Sequence, residues 1–300
     1  MLGWRLAISA VLIPTVFGLF WCDHRLGQPA WLLLAVVLAL AVRACWEMAD
    51  LLRVRNLSAS FPLTALLASG IVVAAWLPWT LQIPVDGSKT PWIAVGVTGF
   101  ATAISLLLLF LATIVRYESP GRSMELLAAE WLTVCYVGGL LALTAQLRWV
   151  AGAEAGYLVL GSLLVGVKGG DIGAYTLGRL FGKRKMAPKL SPGKTWAGAV
   201  GAVLFSSLGT WAFLHVATPL FNAGWDRPAV VWCLLYGAVL GMVGLIGDLS
   251  ESLIKRDVGK KDAAALMPGF GGLLDLIDSI LYAGPVAWLL WMTLPLATWR

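Results

Sequence analysis

The chain has 300 residues, of which 59% are hydrophobic and 13% charged, with a net charge of +6 and a mean hydropathy of +0.83. Soluble domains average roughly 45–50% apolar and about 25% charged residues, so this composition excludes an ordinary soluble enzyme and implies a polytopic membrane protein. The positive balance then belongs to loops at a membrane face, and nucleic acid is not an expected partner.

A helix needs about 20 apolar residues to cross a bilayer. Taken in chain order, nine stretches qualify: residues 5–22, 30–49, 61–82, 92–115, 125–147, 151–168, 195–217, 228–248 and 277–297. The first lacks a small-residue cleavage site and is followed by another long apolar run, so it reads as a spanning helix and not as a signal peptide. The sixth is short and rich in glycine. Pro14 and Pro285 fall inside spans and are candidate kinks. The expected fold class is therefore all-α, a polytopic integral membrane protein with about nine transmembrane helices. The expected organisation is an N-terminal set of spans over 1–150, then a C-terminal catalytic region over 151–300 with two polar loops, 169–194 and 249–276. Cys22, Cys45, Cys135 and Cys233 are widely spaced and read as free thiols. His24 and His215 show no partner pattern.

Lys and Arg set the orientation. With the N-terminus and the even-numbered loops inside, 17 of the 22 Lys and Arg residues are cytoplasmic; Arg25, Lys89, Arg148, Arg227 and Arg300 make up the other 5. Both polar loops then face the cytoplasm.

The second loop concentrates charge in "SESLIKRDVGKKDAAALMPGFGGLLDLIDS", Ser250–Ser279, with five acids and four bases in thirty residues. If the preceding helix continues through it, Asp248, Glu251 and Ser252 share a face, with Lys255 and Arg256 within two turns. Asp275 and Asp278 are three apart and share a face at the start of the last span. Carboxylates at a membrane boundary are costly unless paired, hydrated or metal-bound. Two or three that converge suit Mg²⁺, which prefers to share its shell with phosphate. Nearby Lys and Arg suit anionic oxygens. The other reading of this spacing is a charged loop with capping aspartates, in which Asp278 pairs with Lys255.

The first loop, "VKGGDIGAYTLGRLFGKRKMAPKLSPGKTWAG", holds one acid, Asp171, and six bases from Arg179 to Lys194. "SPGKTW" is not a P-loop, because the position five before Gly193 is Pro188 and not glycine. What remains is a basic loop ending in Ser191, Lys194 and Thr195 just before a helix, where hydroxyls and amides make an anion site. The run Lys183–Lys185 reads as a positive-inside feature.

These residues resemble a known family. The stretch "GDLSESLIKRDVGKKDAAALMPGFGGLLDLIDS", Gly247–Ser279, is similar to the signature of phosphatidate cytidylyltransferases (CDP-diacylglycerol synthases), S-x-x-K-R-x4-K-D followed by P-G-H-G-G-x-x-D-R-x-D. Ser252, Lys255, Arg256, Lys261, Asp262, Pro268, Gly269, Gly271, Gly272, Asp275 and Asp278 match it. "DIGAYTLGRLFGKRKMAPKLSPGKTWAG", Asp171–Gly198, resembles the family's upstream motif, and "CWEMADLLR" is a weak echo of its N-terminal part. Three positions depart: Phe270 stands where the family has His, Leu276 where it has Arg, and Ala197 where it has Glu.

The resemblance implies transfer of a cytidylyl group from CTP to phosphatidate, giving CDP-diacylglycerol and pyrophosphate. It implies Mg²⁺ on Asp248, Asp275 and Asp278, with a second cation compatible with the same cluster. Lys255 and Arg256 would act with Asp278 in catalysis. Asp171, Ser191, Lys194, Thr195, Ser252, Lys261, Gly271 and Gly272 would bind substrate. A homodimer in a bacterial inner membrane is the expected setting. The alternatives are a CTP-dependent polyprenol or phytol kinase, an ether-lipid cytidylyltransferase, a transporter, or an inactive paralogue.

Overall fold

The structure is a computed structural model that describes residues 2–27, 29–81, 90–261, 263–264 and 271–298. Among the described residues there are nine long helices: α1 (Leu2–Leu26), α2 (Trp31–Arg53), α3 (Phe61–Thr80), α4 (Thr90–Val115), α5 (Ser123–Arg148), α6 (Gly156–Phe181), α7 (Trp196–Phe221), α8 (Val230–Asp257) and α9 (Leu273–Thr293). The helices α2 to α9 are long and apolar enough to cross a membrane. One antiparallel hairpin, β1 (Lys185–Ala187) with β2 (Ser191–Thr195), pairs Lys185 with Thr195 and Ala187 with Ser191. The expected class, an all-α polytopic membrane protein, is what forms.

Several expected boundaries move: the ninth span, expected over 277–297, forms over Leu273–Thr293, which puts Asp275 on the helix, and two others bear on the motifs. The sixth span does not stop at 168 but continues as helix to Phe181, so Asp171 lies on α6 and not in a loop. The eighth continues through the charged segment to Asp257, so Asp248, Glu251, Ser252, Lys255 and Arg256 are all helical. In both cases charges end the apolar run before the backbone hydrogen bonding ends. On α6, Lys168 and Asp171 form an i,i+3 ion pair of 3.1 Å, which supports the continuation.

The chain forms two compact units. The first comprises Met1–Gln146 and Asp257–Leu276; the second comprises Leu147–Arg256 and Ile277–Arg300. In the first unit α2 buries Leu34, Val37, Ala41, Ala44, Cys45, Met48 and Leu52, spaced by threes and fours along one stripe. Pro62, within the first turn of α3, occupies the place where a missing N–H costs nothing. In α5 a π-helical turn spans Val134–Gly139, and its Gly138 lies so close to α3 that a Cβ there would sit 2.6 Å from Ala68 Cα. All four cysteines are free.

In the second unit α6 and α7 meet along glycines. A Cβ on Gly173 would lie 2.2 Å from the Gly201 carbonyl oxygen, and one on Gly201 would lie 2.2 Å from that of Gly173. This is the small-residue contact that lets membrane helices approach at backbone distance. The third helix of the unit, α8, joins them through Gly237 and Gly241 against Ser206 and Ala202 of α7. Deeper in, Tyr236 and Ser162 share a 3.1 Å hydrogen bond, with Trp291 edge-on to the tyrosine ring.

The seam yields a stability prediction. Gly173→Ala forces α6 and α7 apart and should destabilise the detergent-solubilised protein by about 1–3 kcal/mol, the usual cost of overpacking. A thermal unfolding curve indistinguishable from wild type would show that the contact is not a constraint.

Candidate active site

The hairpin brings the first motif to α8. At the end of β2, Lys194 extends its Nζ to 2.8 Å from Asp248 Oδ2 and 3.3 Å from the Leu245 carbonyl oxygen. The next residue, Thr195, has extended backbone (φ −128°, ψ 157°) and is the N-cap of α7, its hydroxyl oxygen accepting from Gly198 N–H at 3.1 Å. Its position is kept by Gly178 and Gly182, where added Cβ atoms would stand 3.2 and 2.6 Å from Thr195 Oγ1. The Gly178–Gly182 spacing is therefore a packing device for the cap. Thr195 is buried, so its role here is to start the helix, while half-buried Ser191 opens β2.

The charged end of α8 is arranged in layers. Asp248 has 40% of its side chain exposed, against 15% for its partner Lys194. One turn on, Glu251 and Lys255 form a buried ion pair across i,i+4. Lys255 is therefore matched to Glu251. Ser252 is half-buried. Arg256 is exposed and donates from Nε to the Leu190 carbonyl oxygen at 3.3 Å, which ties the end of α8 to the hairpin turn.

Asp278 lies on α9, 5% exposed, and its Oδ1 accepts from the Ser279 hydroxyl at 2.9 Å. It lies in the electrostatic field of Asp248 and of Lys168. The approach of α8 to α9 is close, since a Cβ on Gly247 would fall 3.1 Å from the Asp278 carbonyl oxygen. Asp248, partly open to solvent, and Asp278 lie on facing helices, and carboxylate oxygens of this kind are hard donors that suit a divalent cation. Among the described residues no three His, Cys, Asp or Glu side chains converge into a closed metal cage.

The remaining motif residues belong to the first unit. Asp275 Oδ2 accepts from Gly272 N–H at 2.7 Å and from Ala263 N–H at 2.9 Å. Gly271 has φ +88°, a left-handed conformation, and a Cβ there would stand 2.5 Å from Asp275 Oδ2. Lys261 is exposed, and its neighbour Lys260 pairs with Asp50 at 3.2 Å. Asp262, Pro268, Gly269 and Phe270 lie outside the described residues. Leu276 is half-buried on α9, and in the second unit Ala197 is half-buried in the first turn of α7.

Sequence reasoning passed over one residue in this region. Glu47, six residues before the end of α2, is fully buried. Its Oε1 accepts from Leu273 N–H at 2.9 Å and its Oε2 from Leu274 N–H at 2.8 Å, at the first turn of α9. The available signal was the acid itself, because a carboxylate inside an apolar span needs a partner.

Comparison with known proteins decides the family. The model described as "Cytidylyltransferase family" matches residues 4–294. The chain belongs to the cytidylyltransferase family. A phosphatidate cytidylyltransferase of Haemophilus influenzae is 30% identical over 290 residues, 95% of this chain and 96% of its own. One of Mycobacterium bovis is 31% identical over 255 residues, 81% of this chain and 75% of its own. One of Pseudomonas aeruginosa is 42% identical over 131 residues, 43% and 46% of the two chains. Family membership accounts for the nucleotide and lipid substrates expected of these motifs and sets aside the transporter reading.

The buried pair on this cytidylyltransferase's α8 gives a second prediction. Lys255→Met strands the Glu251 carboxylate and should cost about 3–5 kcal/mol of stability, whereas Lys255→Met/Glu251→Leu recovers most of it. Thermal melts of both proteins in detergent check this. Equal losses in the single and double variants would contradict the pairing.

Proposed function

We propose that the chain transfers a cytidylyl group from CTP to phosphatidate, releasing pyrophosphate and leaving CDP-diacylglycerol in the membrane. The observation that carries this reading is the ion pair of Lys194 with Asp248 on α8, beside the close approach of α8 to α9 at Asp278, in a chain of this family. The substrate is named from the relatives, whose names specify phosphatidate.

The chemistry asks little of the protein in acid–base terms. A phosphate monoester has a second pKa of about 6, so at neutral pH its oxygen is already an anionic nucleophile and no general base is required. That oxygen attacks the α-phosphorus of CTP; the new P–O bond forms as the bond to the pyrophosphate oxygen breaks, and the pyrophosphate carries away the electron pair. The barrier lies in bringing polyanions together and in stabilising charge on the leaving group. Lys194 is placed to exchange Asp248 for a phosphate oxygen, and Arg256, exposed beside the hairpin, adds a second cationic contact. Lys255 keeps the end of α8 formed through Glu251 and adds positive potential from one turn away. Mg²⁺ would be held by Asp248 and Asp278, with Asp275 the third carboxylate that the motif supplies, and bound there it would neutralise the phosphates of CTP. A second cation is compatible with the same acids.

Phe270 and Leu276 place apolar groups where the family pattern has His and Arg. A reaction that needs no general base tolerates the first change, and the bases around Lys255–Lys261 compensate for the second.

The protein would lie in a bacterial inner membrane with the hairpin and residues 258–272 in the cytoplasm, where CTP is. The 17-to-5 distribution of Lys and Arg supports this orientation. A homodimer is compatible with this reading.

Two measurements follow. Asp278→Asn keeps the side-chain shape and removes the charge, and CDP-diacylglycerol formation should fall at least about a hundredfold, the scale of losing one strong electrostatic stabiliser. Turnover near wild type in that variant would refute the assignment. For orientation, single cysteines at Lys183 and Lys261 in a background without the native thiols should react with an impermeant reagent only after cells are lysed, whereas one at Ala223 should react in intact cells. The reverse pattern would overturn the orientation.

A further inference from the structure

We propose that Glu47 is a positioning residue for the reaction: from α2 it completes the N-terminal cap of α9, the helix that carries Asp275 and Asp278. The proposal rests on the cytidylyl-transfer reading for its catalytic consequence, and on geometry for the contact itself.

The first turn of any helix has N–H groups with no partner inside the helix, and a Ser, Thr, Asp or Asn at the N-cap normally satisfies one or two of them. At α9 the residue before the helix is Gly272, which has no side chain to do so. The acceptors come instead from two carboxylates of different origin. Asp275, the third residue of the helix, accepts from Gly272 N–H, which is the backward half of a capping box. The forward half, acceptance from the first helical N–H groups, falls to Glu47, whose two oxygens take Leu273 and Leu274. The capping box is split between two helices that are 226 and 227 residues apart in sequence at these bonds.

Gly272 is the residue this arrangement requires. A Cβ at that position would lie 2.5 Å from Glu47 Oε2 and 3.0 Å from Ala264 N, so a conventional capping side chain cannot coexist with Glu47. The charge of Glu47 is also accounted for. Arg43, one turn earlier on α2, reaches Glu47 Oε1 at 3.0 Å and stacks its guanidinium 4.3 Å from the Trp46 ring centroid. The positive end of the α9 dipole faces the carboxylate from the other side.

The consequence for chemistry runs through Asp275. Its Oδ2 is fixed by the same turn that Glu47 caps, because Gly272 N–H and Ala263 N–H both point to it. Where Glu47 cannot accept, Leu273 and Leu274 lose their acceptors, the first turn of α9 opens, and Asp275 is no longer held. Displacements of about 1 Å at a catalytic group can cost about a hundredfold in rate, so an acid that touches no substrate can still govern the reaction.

The test uses the full-length protein with Glu47→Gln, and with Arg43→Gln/Glu47→Gln, which leaves no uncompensated buried charge. In protein free of metal and nucleotide, the amides of Gly272, Leu273 and Leu274 should exchange with solvent at least about tenfold faster than in wild type, while that of Leu281 is unchanged. In the assay with CTP and phosphatidate, the Mg²⁺ concentration for half-maximal rate should rise at least about tenfold, with the KM for CTP at saturating Mg²⁺ within about threefold of wild type. If neither variant accumulates in the membrane, Gly272→Ala presses on the same contact and should show the same pair of changes. Unchanged amide exchange would show that Glu47 does not cap α9. Faster exchange with an unchanged Mg²⁺ requirement would reduce Glu47 to a structural ion pair and overturn the proposal. A wild-type protein that makes no CDP-diacylglycerol would defeat the functional reading, and the catalytic role of Glu47 with it, whatever the exchange data say of the cap.

Discussion

Inside a bilayer there is no water to satisfy the N–H groups at the start of a helix, and each one left bare costs several kcal/mol in the membrane interior. The first unit answers this constraint in the same way three times, with a buried carboxylate that reaches across from another helix. Asp23 of α1 accepts from Leu32 and Leu33 at the start of α2. Glu130 of α5 accepts from Ser60 N–H at the entry to α3, while Arg116 neutralises it through two hydrogen bonds of 3.1 and 2.9 Å. Glu47 of α2 does this for α9. All three acids are fully buried. Each converts an electrostatic liability into a fixed helix start, and each joins helices that apolar packing alone would leave free to slide. Breaking one leaves a buried charge and orphaned amides together, which is why these acids govern the placement of everything built on those helices.

The second unit relies on proximity instead of charge. Gly173 and Gly201 bring α6 and α7 to backbone contact, and Gly237, Gly241 and Gly247 let α8 close on α7 and α9. That closeness lets polar side chains from different elements meet. Lys194 at the end of β2 reaches Asp248 on α8, and Asp278 on α9 lies within the field of both Asp248 and Lys168. Among the described residues of this unit the hairpin is the element outside the helical pattern. It delivers Lys194 and Thr195 in consecutive positions, one facing the charged end of α8 and the other starting α7.

Much of this was legible in the sequence, and the reasons for the rest are physical. Hydropathy located the nine long helices found among the described residues, eight of which are long and apolar enough to cross a membrane, because span length is set by bilayer thickness. It placed the ends of α6 and α8 too early, because Lys168, Asp171 and the charges after Asp248 end the apolar run while the backbone stays helical through i,i+3 and i,i+4 pairs. The motif carboxylates were readable from composition and spacing, since five acids in thirty residues stand out in a chain with so few. Which base each acid meets was not readable. Spacing allowed Asp278 to pair with Lys255, but Lys255 is matched to Glu251 within α8 and Lys194 to Asp248 across from the hairpin, and only the tertiary fold decides the second. The π-helical turn at Val134–Gly139 left no pattern that periodicity detects. Glu47 was visible as a lone acid in an apolar span, but its partners are backbone amides more than two hundred residues away, and backbone amides have no signature in a sequence.

The central claim is that the α-phosphoryl group of CTP moves to a lipid phosphate. The most direct measurement incubates the purified protein with phosphatidate, Mg²⁺ and CTP labelled either at the α- or at the γ-phosphorus, then extracts the lipid. Cytidylyl transfer predicts that the α-label enters the lipid fraction as CDP-diacylglycerol while the γ-label stays in water as pyrophosphate. Lipid carrying the γ-label would show a kinase, and would contradict the account at its core.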